Sequence, residues 1–290
     1  MTVSTAQPSA LPLVTVVTPV LNGATFISAT IDSVLAQDYS NVEYLIIDGG
    51  SSDGTETIAR AYGERIRYVR ERDAGQADAV NRGFRMGAGS VLAFLNADDV
   101  YAPDAVTRGV TELGRRPDTS VVYGRAALID DRGRQIGRYP VESFDPALLA
   151  ERCFIAQPAT FIRREAFDAV GGFDPRLHFA FDYDFWIRLS RSHRFAMIDA
   201  VLASARVHRG SKTISERRRA CAEAVRMLAH HFGYVPYGWM YALSDAILKD
   251  RGRRFEKVLL SLVLGIAENR RTPVRYVDDW ISYRGFAKRR

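Results

Sequence analysis

Phe94-Leu-Asn-Ala-Asp-Asp99 closes a short apolar run that begins at Ser90. An apolar run of about four to eight residues, stopped by polar ones, reads as a strand buried on both faces. The spacing predicts a strand over 90–95, with Asn96, Asp98 and Asp99 at its C-terminal edge. In an open α/β sheet that edge is where ligands sit. Two neighbouring carboxylates repel, so they usually hold a cation or share a proton. The plainer alternative is a helix N-cap, with Asp99 ahead of a helix begun by Pro103.

The flanking sequence repeats the same pattern. Residues 13–20 are apolar and rich in valine, and Pro19 falls at the end, where a missing N–H does least harm. Asn22-Gly23 is a turn, after which Phe26, Ile27, Ile31, Val34 and Leu35 share one helical face. Residues 42–47 form a second apolar run ending in Asp48. The small-residue loop Gly49-Gly-Ser-Ser-Asp-Gly-Thr55 leads into a helix through Tyr62. A strand over 66–70 and a helix over 77–86 follow. Strand and helix in alternation imply βαβ units and a mainly parallel sheet. Asp48, Asp73, Asp98 and Asp99 then gather on one edge, which favours a site over a lone cap.

Beyond Asp99 the parallel pattern breaks. A helix is expected over 103–115, then strands over 120–129 and 135–139 joined by the turn Asp130-Asp-Arg-Gly133. Further strands are expected over 159–163, 195–198 and 202–207, with a helix starting near Asp182. The fold expected is α/β, a mixed, mainly parallel sheet flanked by helices with a C-terminal helical extension. Residues 1–10 are expected to be a disordered N-terminus and 11–214 one α/β domain, with the carboxylate edge in a first half, 11–102, and a second half over 103–214. Residues 215–290 are the helical extension.

Composition narrows the function. The chain has 290 residues, 47% hydrophobic, with net charge +6, and the basic excess lies late. Two cysteines, Cys153 and Cys221, are too few for a zinc ribbon or disulfide framework, which suits a reducing compartment. The first ten residues lack a basic and apolar leader pattern. The apolar stretch 258–267 is about half a bilayer span, so no transmembrane helix is expected. Neither G-x-x-x-x-G-K-[ST] nor an early G-x-G-x-x-G occurs, which argues against P-loop and dinucleotide chemistry. A carboxylate cluster beside small-residue loops suits a divalent cation, Mn²⁺ or Mg²⁺, carrying a nucleotide diphosphate.

Several motifs occur in register: Thr15-Val-Val-Thr-Pro-Val-Leu-Asn22, Ile46-Ile-Asp-Gly-Gly-Ser-Ser-Asp-Gly-Thr55, Asp73-Ala-Gly-Gln-Ala-Asp-Ala-Val-Asn-Arg-Gly83 and Phe94–Asp99. Gln157-Pro-Ala-Thr-Phe161, Val170-Gly-Gly-Phe-Asp174 and Asp182-Tyr-Asp-Phe-Trp-Ile-Arg-Leu189 follow. Together they resemble glycosyltransferase family 2, the nucleotide-sugar transferases of the A-type fold, over roughly residues 13–215. The resemblance makes 11–214 the catalytic domain, with 11–102 its nucleotide-sugar-binding half and 103–214 its acceptor half, and implies nucleotide contacts at Thr18, Pro19, Asp48, Asp73 and Gly75. It places the Asp-x-Asp motif on Asn96-Ala97-Asp98, with Asn in place of the first acid. Asp98 is then the expected metal ligand, Asp99 beside it, and His208 a further ligand or diphosphate contact. Asp182 matches the family's catalytic base, although Phe181 stands where a Glu often precedes it. Helix N-cap remains the alternative role for Asp182. Gln157, Trp186 and Asp184 are acceptor-side candidates, and Trp186 at helical spacing also suits a core position.

The resemblance implies an inverting, metal-dependent transferase. It would move a sugar from a nucleotide-diphosphate donor to a hydroxyl of a glycan or lipid-linked acceptor, in polysaccharide, glycolipid or cell-envelope assembly. A sugar nucleotidyltransferase and a non-catalytic nucleotide-sugar-binding protein are the alternatives. The expected location is cytoplasmic. Peripheral membrane contact through the basic C-terminal region and a homodimer are both open, and no nucleic-acid partner is expected.

Overall fold

The computed structural model describes residues 11–248 and 254–287. The disorder expected over residues 1–10 lies outside the described residues. In chain order the elements are β1 (Val14–Val20), α1 (Ile27–Leu35), β2 (Val42–Asp48), α2 (Thr55–Arg60), β3 (Arg67–Arg70), α3 (Gln76–Met86) and β4 (Val91–Phe94). Then come β5 (Val100–Tyr101), α4 (Ala105–Arg115), β6 (Thr119–Ile129), β7 (Gln135–Arg138), β8 (Thr160–Arg163), α5 (Arg164–Ala169), α6 (Phe181–Ser190) and β9 (Arg194–Arg206). Helices close the chain: α7 (Lys212–Ser215), α8 (Arg217–Phe232), α9 (Tyr237–Leu248), α10 (Arg254–Glu268) and α11 (Pro273–Ala287).

The strands form one mixed sheet in the order β3-β2-β1-β4-β8-β6-β9-β5, with β7 paired to β6. β3, β2, β1 and β4 run parallel, and β8 reverses against β4. Every residue of β1 and β4 is buried, which explains why these strands read as continuous apolar runs rather than as alternation.

Under β4 the helices meet in a cluster of phenylalanines. Phe173 packs edge-on to Phe94 at 5.4 Å and to Phe181 at 5.3 Å, and lies 4.5 Å from Phe185. Asn81 grips the backbone of Phe173 from both sides, donating to its carbonyl at 2.8 Å and accepting from its N–H at 2.9 Å. Gly172 precedes it at φ +74°, and a Cβ there would lie 2.9 Å from Asn81 Oδ1, so this turn requires glycine. The phenylalanines therefore tie the start of α6 to the end of β4.

Three expectations change. The helix after Asp99 begins at Ala105 rather than Pro103, and Asp99 leads instead into β5, which pairs antiparallel with β9. A two-residue strand leaves no periodic signal. The strands expected over 195–198 and 202–207 are one strand, β9. Asp199 and Ala200, which interrupt the apolar pattern, fall between the pairs Gly124–Ile198 and Arg125–Val201, so they bulge from the ladder without ending it. The hexamer α5 was not expected at all.

Candidate active site

β1 has β2 on one side and β4 on the other, so the loops that leave β1 and β4 diverge and open a crevice at their C-terminal ends. The two loops touch at its floor, where a Cβ on Gly23 would stand 3.3 Å from Ala97 Cβ. Asn22, at φ +56°, takes an N–H from Ser52 on its side chain and gives its own N–H to Ser51 Oγ. Gly23 N–H reaches Thr55 Oγ1. The small-residue loop after β2 is thus stitched to the loop after β1.

Asp48 ends β2 fully buried. Its Oδ1 accepts from Gly50 N–H at 2.8 Å and Ser51 N–H at 2.6 Å, and its Oδ2 from Tyr68 Oη at 2.5 Å. Burial pushes its carboxyl up, but the hydrogen bonds from Tyr68, Ser51 and Gly50 outweigh this and hold it below the usual range. Asp73 lies beside it, 2.7 Å from where a Cβ of Gly49 would be, and accepts from Gly75 N–H at 2.9 Å. Gly75 has φ +126° and opens α3, and His178 Nδ1 would meet a Cβ there at 3.1 Å. Thr18 is fully buried, with Oγ1 2.8 Å from Tyr44 Oη. Pro19 is buried opposite Ile47.

At the end of β4 the two carboxylates take different environments. Asp99 is 4% exposed. Its Oδ1 accepts from Arg206 N–H at 2.9 Å and its Oδ2 from Asn96 Nδ2 at 3.1 Å. Burial, and then the Asp98 charge, push this carboxyl well up. Both oxygens of Asp99 thus already accept hydrogen bonds within the protein. Asp98 is half-buried, and His208 Nε2 lies 3.1 Å from its Oδ2. Asn96 joins this corner to α3 through a hydrogen bond from Gln76 Nε2 at 2.6 Å.

Arg206, which the sequence reading passed over, holds the corner together. Its Nε donates to Asp98 O at 2.9 Å and its Nη1 to Asp130 O at 2.8 Å. The guanidinium lies 4.7 Å above the Phe26 ring, and His208 packs against the same ring at 4.8 Å.

Mg²⁺ and Mn²⁺ are usually held by one or two protein groups plus phosphate oxygens. Asp98 Oδ2 and His208 Nε2, 3.1 Å apart, are the oxygen and imidazole nitrogen that would hold such a cation. Among the described residues no group of three or more His, Cys, Asp or Glu is gathered for a metal. Two protein groups fit a cation shared with a diphosphate, but not a closed metal cage.

Asp182 lies in the first turn of α6, half-buried, accepting from Tyr183 N–H at 2.8 Å. No ion-pair partner is recorded for it among the described residues. Burial pushes its carboxyl up to about 6, only partly opposed by backbone N–H groups. Burial first, and then the Asp182 charge, push up the neighbouring Cys153 thiol. The loop before α6 is capped from the extension. Glu223 of α8, buried, accepts from the N–H groups of His178 at 3.0 Å, Phe179 at 2.6 Å and Ala180 at 2.8 Å. Lys212 Nζ donates to His178 O at 2.6 Å and lies 5.0 Å over the Phe179 ring. Beside these residues a cavity of about 500 Å³ opens between α7 and α8, edged by Arg218 and Arg226, and its lining includes neither Asp98 nor Asp182.

The acceptor-side candidates sit elsewhere. Gln157 is buried, its Nε2 donating to Phe94 O at 2.7 Å, so it anchors the end of β4. Trp186 is sealed in the core. Asp184 is buried, accepting from Arg188 Nε at 2.8 Å and paired with His231 Nε2 at 2.7 Å. Burial pushes its carboxyl up, but His231 and Arg188 outweigh that and hold it below the usual range. Arg191 Nη2 lies 2.9 Å from His231 Nδ1; because arginine can only donate, the imidazole proton is assigned to Nε2, facing Asp184. Glu223 carried a readable signal: it interrupts a face of Ala220, Ala224 and Met227 in α8, where an apolar residue is expected.

The family model for Glycosyl transferase family 2 matches residues 15–171. An uncharacterized glycosyltransferase of Rickettsia felis is 32% identical over 223 residues, covering 72% of this chain and 37% of its own. A PGL/p-HBAD biosynthesis glycosyltransferase of Mycobacterium bovis is 34% identical over 62% of this chain and 70% of its own. This chain thus spans well under half of the Rickettsia felis relative. Among solved structures, S. aureus TarS in complex with UDP-GlcNAc superposes with TM-score 0.64 at 14% identity, over 88% of this chain and 81% of that one. The mannosyltransferase PcManGT from Pyrobaculum calidifontis, in complex with GDP-Man and Mn²⁺, superposes with TM-score 0.61 at 19% identity, over 93% and 85%. The sheet is that of A-type glycosyltransferases, and the chain belongs to glycosyltransferase family 2.

Proposed function

We propose that this glycosyltransferase is an inverting enzyme that moves a sugar from a nucleotide-diphosphate donor to an acceptor hydroxyl, with Asp182 as the base. The observation that carries the reading is the Asp182 carboxyl, poised at about 6 by burial in the first turn of a helix that packs on the end of β4. A base works best when its pKa lies near the operating pH. Asp182 takes the acceptor proton as that oxygen bonds to the anomeric carbon. The carbon–oxygen bond to the diphosphate breaks, and its electron pair leaves with the diphosphate. A single displacement with one base inverts the anomeric centre.

Thr18, Pro19, Asp48, Asp73, Gly75 and Asn96 form the nucleotide-sugar side, with Asp48 and Asp73 offering acceptors at the strand ends. Thr18 and Pro19 act there through the backbone, since their side chains are buried. Asp98 and His208 would hold Mn²⁺ or Mg²⁺ against the donor. Such a cation neutralises charge on the leaving diphosphate. The Mn²⁺ complex of the Pyrobaculum neighbour supports this, as does the UDP-GlcNAc complex for a nucleotide-sugar donor. The mycobacterial relative's name supports a lipid-linked or envelope acceptor. Residues 11–214 would be the catalytic unit and the helices from 215 its extension.

The test is a thermal-shift screen of nucleotide diphosphates with and without Mn²⁺ or Mg²⁺. A ligand that binds only the folded state raises Tm by mass action. One nucleotide diphosphate should raise Tm, and by more with the cation. If none does so at saturating concentration, the donor site is wrongly placed.

A further inference from the structure

α10 carries two faces with different fates. Ser261 and Gly265 turn inward. Ser261 is fully buried, its carbonyl accepts from Tyr276 Oη at 2.8 Å, and Gly265 is in contact with the Tyr276 ring so that no Cβ fits. Toward the other side stand Phe255, Leu259, Val263 and Ile266, exposed by 72%, 51%, 59% and 43%. Their spacing of four, four and three residues makes one continuous ridge. α10 therefore already has its packing face, and the ridge is additional apolar surface. On α11, Val274 and Ile281 are likewise exposed, by 73% and 58%, seven residues apart on one face.

The charge of the chain is concentrated in the same segment. Residues 249–290 hold 12 basic and 5 acidic side chains, a net of +7, against +6 for the whole chain. Residues 1–248 are accordingly almost neutral, with 28 basic and 29 acidic. Arg254 at one end of α10, and Arg270, Arg271 and Arg275 just beyond the other, are exposed. Glu256 and Glu268 are the acidic residues of α10 itself. Among the described residues no helix is long and apolar enough to cross a membrane. An exposed apolar ridge bounded by cations is the pattern of a helix lying in the plane of a membrane surface, its apolar side chains among the acyl chains and its cations at anionic headgroups.

We propose that α10, with the exposed face of α11, docks the protein on an anionic lipid surface. The proposal rests on the extension and not on the transfer chemistry, so each fails without the other. The occupant follows from charge: an anionic bilayer supplies both the apolar depth and the opposite sign, whereas a second copy would bring the same +7 segment against itself.

The experiment is flotation of the full chain with vesicles of phosphatidylcholine alone and with phosphatidylglycerol. Binding should appear with phosphatidylglycerol and weaken as salt rises. The pair L259D/V263D should cut partitioning by about tenfold or more, because it places charge on the face that would enter the acyl chains. These side chains are exposed, so Tm and donor-nucleotide binding should stay unchanged. Arg270→Glu with Arg271→Glu should weaken binding to anionic vesicles specifically. Failure of the wild type to float with phosphatidylglycerol, or equal flotation of the L259D/V263D protein, overturns the proposal. A dimer in light scattering that L259D/V263D abolishes, without vesicle binding, would assign the ridge to a second copy and overturn it too.

Discussion

Two corners of this molecule each present a pair of aspartates, Asp98 with Asp99 and Asp182 with Asp184. In both, one member is buried with both oxygens engaged: Asp99 by Arg206 and Asn96, Asp184 by Arg188 and His231. The other member keeps unused acceptor capacity. Among the described residues Asp98 has one side-chain partner, His208, and Asp182 has only backbone N–H groups at the start of α6. What differs is the company. Asp98 sits beside the His208 imidazole, with Arg206 donating to its backbone carbonyl, while Asp182 has no cationic partner among the described residues and is pushed up to about 6 by burial. The first environment, an oxygen beside an imidazole nitrogen, suits a share in a bound cation. The second suits one that gains and loses a proton. On the proposed function, identical side chains would divide into scaffold and reagent through their neighbours.

The sharpest way to break this division is at Asp182 and Asp184. Asp182→Asn should lower transfer by about 10²–10⁴-fold, the usual contribution of a general base. Its effect on stability should run the other way. A carboxyl raised from 3.8 to about 6 in the folded state favours folding when protonated, and that contribution is lost as pH rises from about 4 to 6. Asp182→Asn should therefore raise stability by about 2 kcal/mol at pH 7.5, allowing for its partial exposure, with no gain below pH 4. Denaturant melts at the two pH values check this.

Asp184→Asn should do the opposite. It leaves the half-buried Arg188 guanidinium without its counter-charge and gives His231 Nε2–H a weaker acceptor, at a cost of about 2–3 kcal/mol. Transfer per folded molecule should persist at low temperature. Urea unfolding beside activity per active site would separate the two outcomes.

The second corner gives a smaller contrast. Asp98→Asn should weaken cation-dependent nucleotide binding about tenfold or more, on the scale seen when metal-site partners are lost. Asp99→Asn should lower Tm and leave the cation dependence in place. Calorimetric titration of a nucleotide diphosphate with and without Mn²⁺ distinguishes them. An equal loss in both variants would mean that Asp99 belongs to the metal site after all.

The smallest effect lies between the corners. Glu223→Gln keeps acceptor capacity toward the loop 178–180 but removes its charge, for about 1–2 kcal/mol of stability. If Glu223 positions the start of α6, the same variant should also shift the pH midpoint of transfer set by Asp182. A purely structural role would leave the midpoint fixed.

The first half of the fold was readable because a parallel strand buried on both faces has no polar residue until it ends. Asp48 and the 96–99 cluster therefore marked the sheet edge by themselves. The division of labour within each aspartate pair was not readable. Asp99 is satisfied by a backbone N–H 107 residues away and Asp184 by a histidine 47 residues away. No local pattern encodes either partner. Arg206 looked like the tail of a strand, and its role appears only where β9 passes β5. Trp186 at helical spacing already suits the core, and it is buried there, whereas Gln157 bonds to a carbonyl 63 residues away, which no local pattern encodes. Glu223 alone left a trace, as a carboxylate on an apolar helix face.

The pH dependence of the transfer rate at saturating substrates tests the central claim most directly. With Asp182 as the base, the rate should fall about tenfold per pH unit below about 6 and level off above it, and the residual rate of Asp182→Asn should lack that limb. A wild-type rate that is flat down to pH 4, or the same limb in Asp182→Asn, would contradict the account.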